Sequence, residues 1–360
     1  MRLRRTLTVV GCLAVLCAAA FAGFHVGSGN SSEPGPAAES AGEGQATSSA
    51  EELELAAALR RGVARAADLG GSVEAAAMVD SSTSPIVATS EPRGASRYMR
   101  MWSMSKVATM VALLRELKWG ELPGEATSAE VDDALIGAIT RSENCRQRRI
   151  VLELQRIAGG IEGARRAMAE VFALAGGRPR IDTEIEAPEP HCIPFLESQS
   201  ELPDPLAPAL LLGTSTWRVT DAVRLAHALA TGAYGKAIST RALDLMRAPK
   251  QPSRESPAGE LTAPLDWGAG VAFAGMEPAF KAGWGGSQNG NFLAGQLAVL
   301  PIGGGDRLAI AVMFHPDAQP PRDDPGITAA PSALQTVMVS VRSILKVAQV
   351  RESVEAGGWG

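Results

Sequence analysis

The sequence has no strong excess of charge of either sign. Its 360 residues include 34 lysines and arginines and 39 aspartates and glutamates, a formal net charge of −5 at pH 7. A mildly acidic chain lacks the basic field that attracts nucleic acid, so we exclude nucleic acid as a partner. Beyond the N-terminus no apolar run is long enough to cross a membrane, which leaves only the N-terminal segment as a membrane contact.

Cysteine and histidine are both scarce, with four residues of each. No two histidines have the spacing of metal ligands, so we expect no metal and no cofactor. Cys12 and Cys17 lie in the N-terminal segment, which leaves Cys145 and Cys192 in the body of the chain. In an oxidising compartment these two cysteines predict a single disulfide, and two buried free thiols are the alternative.

Residues 1–26 have the pattern of an export signal. Three arginines within the first five residues precede a largely apolar run over 7–24, and residues 20–22 (Ala-Phe-Ala) form an A-x-A cleavage site. The run is also long enough for an uncleaved membrane anchor, and a lipoprotein is a further alternative. Each version places the folded part outside the cytoplasm, in the cell envelope or the extracellular space. Residues 27–50 are rich in Gly, Ser, Glu, Ala and Pro and predict a flexible linker.

Residues 51–350 contain both helix-like and strand-like patterns of apolar residues and predict an α/β (α+β) fold. The α/β part comprises 51–95 and 233–350, the helical part comprises 96–232, and 351–360 form a tail. Strands from both ends of the chain would close one antiparallel sheet, flanked by helices and carrying an all-helical subdomain. The predicted strands are 73–79, 86–89, 268–273, 279–282, 291–300 and 307–314. The predicted helices are 51–69, 103–117, 131–140, 147–157, 162–174, 219–230, 239–246 and 332–350.

Ser103-Met104-Ser105-Lys106 is an S-x-x-K motif at the start of a predicted helix. The spacing of three puts the Ser103 hydroxyl and the Lys106 amine on one helical face. Serine is a poor nucleophile without an adjacent base, and a desolvated lysine with a lowered pKa can serve as that base. A second match, from Ser343 to Lys346 in the last helix, has nothing downstream to complete a site, so we attribute it to chance.

Two further motifs follow the first S-x-x-K. Ser142-Glu143-Asn144 stands at the end of an apolar helix, and Lys281-Ala282-Gly283 lies on a late strand. The order S-x-x-K, S-x-N, K-x-G is that of class A β-lactamases and penicillin-binding proteins.

On these motifs the chain resembles the class A β-lactamase-related serine hydrolases of the penicillin-recognising superfamily. The similarity extends to 134–152 (ALIGAITRSENCRQRRIVL) and 213–232 (GTSTWRVTDAVRLAHALATG), and covers about residues 51–350. It implies a β-lactamase/D,D-peptidase-like fold and a monomer whose partner is a small-molecule β-lactam or a cell-wall peptide.

The resemblance implies catalytic roles for five residues. Ser103 would be acylated, Lys106 would take its proton, and Ser142 would pass a proton to the leaving nitrogen. In the segment 181–190 (IDTEIEAPEP), Glu186 and Glu189 are the candidates for activating the water that releases the acyl group. The alternative for this segment is an acidic, solvated loop without a catalytic role.

The resemblance also implies substrate-binding roles. Asn144 would hold the substrate's amide side chain, and Lys281 would supply positive charge near its anionic end. The backbone N–H group of Trp284, which follows Gly283, would complete an oxyanion hole with that of the nucleophile. Ala282 departs from the family pattern, because Thr or Ser at this position normally helps to hold the β-lactam carboxylate.

Three functions remain open at this point. The first is an exported serine hydrolase that forms an acyl-enzyme and hydrolyses a β-lactam amide. The second is a D,D-peptidase-like cell-wall hydrolase, and the third is a catalytically poor penicillin- or muropeptide-binding domain.

In the family's architecture the loop that carries Glu189 and Cys192 lies beneath the S-x-N corner, so the resemblance brings Cys192 towards Cys145.

Overall fold

A five-stranded antiparallel sheet lies between the helices. Its strands are β1 (Gly71–Val79), β2 (Ile86–Thr89), β5 (Ala279–Gly285), β6 (Leu293–Gly303) and β7 (Asp306–Pro316), and their order across the sheet is β2-β1-β7-β6-β5. A separate two-stranded pair consists of β3 (Met99–Arg100) and β4 (Thr216–Trp217). Strands from both ends of the chain therefore meet in one sheet, as the sequence predicts.

The coordinates are a computed structural model. It describes residues 50–91, 97–120, 128–180, 216–248, 250, 268–285, 293–303, 305–317 and 329–356. The helices are α1 (Ala50–Ala67), α2 (Ser105–Glu116), α3 (Ala129–Thr140), α4 (Asn144–Ala158), α5 (Ile161–Leu174), α6 (Val219–Thr231), α7 (Lys236–Arg247), α8 (Ala269–Ala272) and α9 (Ala329–Ala356). In this part of the chain, no helix combines the length and the apolarity needed to span a bilayer.

The sheet separates two apolar cores, because alternate residues of a strand point to opposite faces. On β1, Ala75 and Ala77 join the core formed with α1 and α9, whereas Ala76 and Met78 join the core of the helical subdomain. Helix α2 lies at the centre of that subdomain. Its residues 105–114 are all buried, as expected of a helix surrounded by other elements.

The prediction of a strand at 268–273 is wrong, because this segment forms the short helix α8. Gly268 adopts φ +64°, a left-handed conformation that favours glycine. The backbone N–H group of Ala269 then donates to the side-chain oxygen of Gln296 on β6, 2.6 Å away. This long-range contact satisfies the helix N-terminus, and no local pattern in the segment could have predicted it.

Glu74 is the only charged residue of β1, and it is buried on the face that carries Ala76. Burial raises the pKa of its carboxyl to about 8, despite the guanidinium of Arg97, whose Nε lies 3.9 Å from Oε1. The negative charge of Glu91 raises the pKa further. The second carboxyl oxygen, Oε2, is buried and has no hydrogen-bond partner among the residues that the structure describes.

This raised pKa makes the stability of the protein depend on pH. Because the folded pKa exceeds the unfolded value, the native state binds the extra proton, and stability falls as pH rises from about 4.5 to about 8. We expect Glu74→Gln to match the wild type near pH 5 and to be more stable by about 2–4 kcal/mol near pH 8. Urea unfolding at several pH values measures this. The more exposed Glu91 provides the control Glu91→Gln, and parallel pH profiles for Glu74→Gln and wild type would contradict the assignment.

Candidate active site

Ser103 lies in a 3-10 turn, Trp102–Met104, which leads directly into α2. The Ser105 hydroxyl donates to the Trp102 carbonyl (2.7 Å), and the Met104 N–H donates to the carbonyl of Met101 (3.0 Å). Trp102 adopts φ +45°, a left-handed conformation that costs a bulky residue about 1–3 kcal/mol. Such strain concentrates at functional sites, and here it falls on the residue before the predicted nucleophile.

Lys106 occupies the first turn of α2 and is fully buried. Its Nζ donates to the backbone carbonyl of Ser142 (2.6 Å) and to Oδ1 of Asn144 (2.8 Å). The lysine of the S-x-x-K motif is therefore bonded directly to two residues of the S-x-N motif. This contact links α2 to the corner between α3 and α4.

That corner has a fixed shape. Ser142 adopts φ +56°, again a left-handed conformation for a non-glycine residue. The next residue, Glu143, is buried and pairs with Arg141, whose Nε lies 2.7 Å from its Oε1. Breaking a buried pair of this kind costs about 3–5 kcal/mol. Glu143 thus holds the corner in place, a role that the sequence pattern did not reveal.

Lys281 approaches the same corner from the sheet. It lies on β5, is buried, and its Nζ donates to the Ser142 hydroxyl oxygen (2.9 Å) and to the Ala282 carbonyl (2.7 Å). Burial holds the pKa of Lys281 well below the usual lysine range, and Lys106 and Lys250, when they are protonated, lower it further. The Ser142 hydroxyl accepts this bond, so its own proton remains available for transfer.

Gly283 brings the backbone of β5 against the turn that carries Ser103. A Cβ atom at Gly283 would lie 2.5 Å from the Met101 oxygen, 2.6 Å from the Met104 nitrogen and 3.0 Å from the Ser103 nitrogen. All three are backbone atoms, so only glycine allows this approach. The next residue, Trp284, continues β5, and its side chain lies outside the described structure.

This close approach predicts a large effect of one added methyl group. We expect Gly283→Ala to lower the acylation rate of Ser103 by about 10²-fold, because a shift of about 1 Å in the reacting groups has that effect. Gly295 on β6 is the matched control. It is the Cα partner of Gly283, and its Cβ would meet the flexible end of Met104, with Cε 2.5 Å away, and only one backbone atom, the Val312 oxygen at 3.3 Å. The rate of labelling by a fluorescent penicillin is measured for Gly283→Ala and Gly295→Ala. An equal loss of acylation rate in the two variants would contradict the role given to Gly283.

The structure brings six of the predicted site residues into one connected group. They are Ser103, Lys106, Ser142, Asn144, Lys281 and Gly283. Glu186, Glu189 and Cys192 lie outside the described residues. Sequence reasoning missed Trp102 and the Arg141–Glu143 pair, and only the positive φ and the buried ion pair reveal them.

Comparison with solved structures identifies the architecture. No protein-family model and no curated protein matches the chain. The chromosome-encoded β-lactamase of Vibrio parahaemolyticus superimposes with a TM-score of 0.52 at 13% identity, over 80% of this chain and 99% of that one. A β-lactamase from Streptosporangium roseum gives 0.51 at 16% identity, over 80% and 98% of the two chains.

The fold is β-lactamase-like. A third structure, a β-lactamase from Xanthomonas campestris, agrees, with a TM-score of 0.50 at 15% identity over 81% of this chain and 98% of that one. The predicted fold class is therefore confirmed. Identities this low establish the fold and leave the activity to the site itself.

Proposed function

We propose that the chain is an exported serine hydrolase that forms an acyl-enzyme on Ser103, with β-lactam amide hydrolysis as its reaction. One observation carries the proposal. Ser142 is held through its carbonyl by Lys106 and through its hydroxyl by Lys281. Three motifs far apart in the sequence thereby meet beside the turn that carries Ser103.

In the acylation step, neutral Lys106 accepts the proton of the Ser103 hydroxyl while Oγ attacks the carbonyl carbon of the amide. The C=O electron pair moves onto the oxygen, which the N–H groups of Ser103 and Trp284 stabilise. When the intermediate collapses, the C–N bond breaks and Ser142 gives its proton to the leaving nitrogen. Lys281, whose pKa is lowered, is placed to return a proton to Ser142.

For deacylation we propose that Glu186 or Glu189 activates water. The position of Arg148 supports this proposal. Arg148 lies one helical turn after Asn144 on α4, is buried, and forms no ion pair with the described residues. Its pKa is lowered by burial alone. A buried guanidinium that has no acidic partner in the described part of the chain strongly favours an approaching carboxylate.

A second candidate function, peptidase-like acyl transfer from a cell-wall peptide, is favoured by Ala282. Its methyl group stands beside Lys281 on β5, where a hydroxyl would help to hold a β-lactam carboxylate. The same acylation machinery would serve both substrates.

A fluorescent penicillin tests the proposal. Rapid release of the hydrolysed product supports β-lactam hydrolysis, and a long-lived label on the protein supports the acyl-enzyme with a peptide as the true substrate. Absence of any label on the wild-type protein would contradict acylation by β-lactams.

Cys145 is buried in the first turn of α4, next to Asn144. We infer that it forms a disulfide with Cys192, the only other cysteine outside the N-terminal segment. Such a bridge would link the site to the segment that carries the candidate glutamates. A bridge that closes a loop of about 47 residues stabilises by about 3–4 kcal/mol on the chain-entropy model.

If this bridge holds Glu186 or Glu189 near the acyl-enzyme, its loss has a specific kinetic signature. We expect Cys192→Ser to slow deacylation more than acylation and so to lengthen the life of the Ser103 adduct. Single-turnover labelling followed by intact mass separates the two steps. Alkylation of two free thiols in the oxidised wild-type protein would contradict the bridge.

A further inference from the structure

Two arginine side chains stack on the ring of Tyr98, and a third arginine is bonded to its hydroxyl. The guanidinium carbon of Arg180 lies 4.1 Å from the centre of the ring, and that of Arg218 lies 5.2 Å from it. The Tyr98 hydroxyl donates to the backbone carbonyl of Arg178 (3.0 Å). We call Tyr98 and these three arginines the arginine cluster. It shares no residue with the group formed around Ser142.

The backbone of the cluster is fixed by Asp221, a fully buried residue in the first turn of α6. Its carboxylate accepts from the backbone N–H groups of Arg178 (2.7 Å) and Arg218 (3.0 Å), and from Nε and Nη2 of Arg218 (3.0 and 2.9 Å). Arg180 exchanges two backbone hydrogen bonds with Thr216, both 2.9 Å long. The backbone of all three arginines is thus ordered without a ligand, which lowers the entropy cost of binding one.

The arginine cluster carries more positive than negative charge. Arginine stays protonated in proteins, so its three arginines and the buried Asp221 leave a net charge of about +2. Arg178 and Arg180 are exposed, and neither pairs with an acid of the described residues. Helix α6 starts directly after Arg218 and adds the positive end of its dipole.

The groups that the cluster offers to a ligand are all hydrogen-bond donors. The Tyr98 hydroxyl proton is already given to the Arg178 carbonyl, and a guanidinium has no acceptor. Because both stacked guanidinium carbons lie over one ring, they are at most about 9 Å apart, the sum of their distances from its centre. A tetrahedral phosphate presents oxygens in several directions and can accept from guanidinium groups spaced in this way.

The net charge of the cluster selects among anions. A carboxylate carries one negative charge, whereas a phosphate monoester carries nearly two above its second pKa of about 6. A dianion therefore balances the two positive charges that Asp221 leaves over. Chloride is a monoanion and cannot accept several directed bonds from guanidinium forks.

We propose that the arginine cluster binds a phosphate dianion, either free phosphate or the phosphate group of a monoester. Arg178 and Arg180 supply the charge-assisted hydrogen bonds, and Arg218 contributes the N–H groups that Asp221 does not use. Tyr98 orients the guanidinium plane of Arg180. The proposal goes beyond the acyl transfer proposed above and does not depend on it.

Isothermal titration of the full-length protein with sodium phosphate at pH 8 tests the proposal. Sodium chloride keeps the ionic strength constant. We expect one phosphate to bind per chain, and Arg180→Gln to weaken binding by at least about 10-fold, the loss expected for a hydrogen bond to a charged group. Arg178→Gln is a second variant with the same expected loss. Arg166→Gln is the matched control, because Arg166 is an exposed arginine on α5 about two turns before its end.

Two further variants separate phosphate binding from a structural role of the stack. Arg180→Lys keeps the positive charge but lacks the planar fork, so its affinity should fall between those of wild type and Arg180→Gln. Tyr98→Leu removes the ring that orients Arg180 and should also weaken phosphate binding. Thermal unfolding establishes that each variant is folded. A folded Arg180→Gln or Arg178→Gln protein that binds phosphate as tightly as Arg166→Gln would overturn the proposal, even if its stability is lower than that of wild type.

Glycerol 3-phosphate distinguishes the two sources of the phosphate. If it binds at least as tightly as inorganic phosphate, the ligand is a monoester, whereas binding of inorganic phosphate alone indicates free phosphate. Binding of neither above the chloride background would contradict the site. Labelling by a fluorescent penicillin is an independent measurement: its failure on the wild-type protein would contradict the proposed function and leave the phosphate result standing.

Discussion

Ser103→Ala is expected to abolish covalent labelling by penicillin completely. The acyl bond forms on the Ser103 oxygen, and within the described ranges no neighbouring hydroxyl is placed to replace it. Ser105 is fully buried and its hydroxyl donates to the Trp102 carbonyl. The hydroxyl of Ser142 is held by Lys281. Intact-mass measurement after incubation with penicillin gives the labelled fraction directly.

The chain provides a matched control for this variant. Ser343 begins the second S-x-x-K, on α9, where its hydroxyl donates to the carbonyl of Ser340. Ser343→Ala should be labelled like the wild type. Label that persists in Ser103→Ala would show that another residue is the nucleophile.

Lys106→Met is expected to lower the acylation rate by at least about 10²-fold, the loss expected when a general base is removed. The methionine fills the space of the lysine stem but removes the hydrogen bonds that Lys106 donates to the Ser142 carbonyl and the Asn144 amide oxygen. Lys106→Arg should be nearly as slow, because a guanidinium stays protonated and cannot accept the serine proton. Stopped-flow labelling at several pH values measures the rate.

The control for Lys106→Met is Lys346→Met in the second S-x-x-K, which should acylate at the wild-type rate. Circular dichroism and thermal unfolding establish that each variant is folded before rates are compared. A folded Lys106→Met protein with the wild-type acylation rate would show that a different group takes the proton.

The sequence predicted every described helix except α8, and most of the sheet, because the periodicity of these elements is local. Strand β1 and helix α2 begin within two residues of their predicted starts. The segment 268–273 has a strand-like pattern, and its helix depends on a contact between Ala269 and Gln296 that periodicity does not encode. The ladder between β3 and β4 is only two residues long on each strand, which is too short to show the alternation of apolar and polar residues that predicts a strand.

The residues of the site were predictable because its three motifs are short and follow one another along the chain in a recognisable order. The spacing from Ser103 to Lys106 follows from helical geometry, although Ser103 itself lies in the 3-10 turn before α2. The meeting of Lys106 and Lys281 on Ser142 depends on how α2, the α3–α4 corner and β5 pack together. Such tertiary contacts carry no signal in a single sequence, so only the structure shows which atoms each lysine approaches.

Locating a penicillin adduct in the wild-type protein tests the central claim most directly. The protein is quenched during labelling, digested, and the modified fragment is sequenced by mass spectrometry. One adduct per chain on Ser103 is the result that this account predicts. An adduct on any other residue, or a fully folded protein with no adduct at any time, would contradict it.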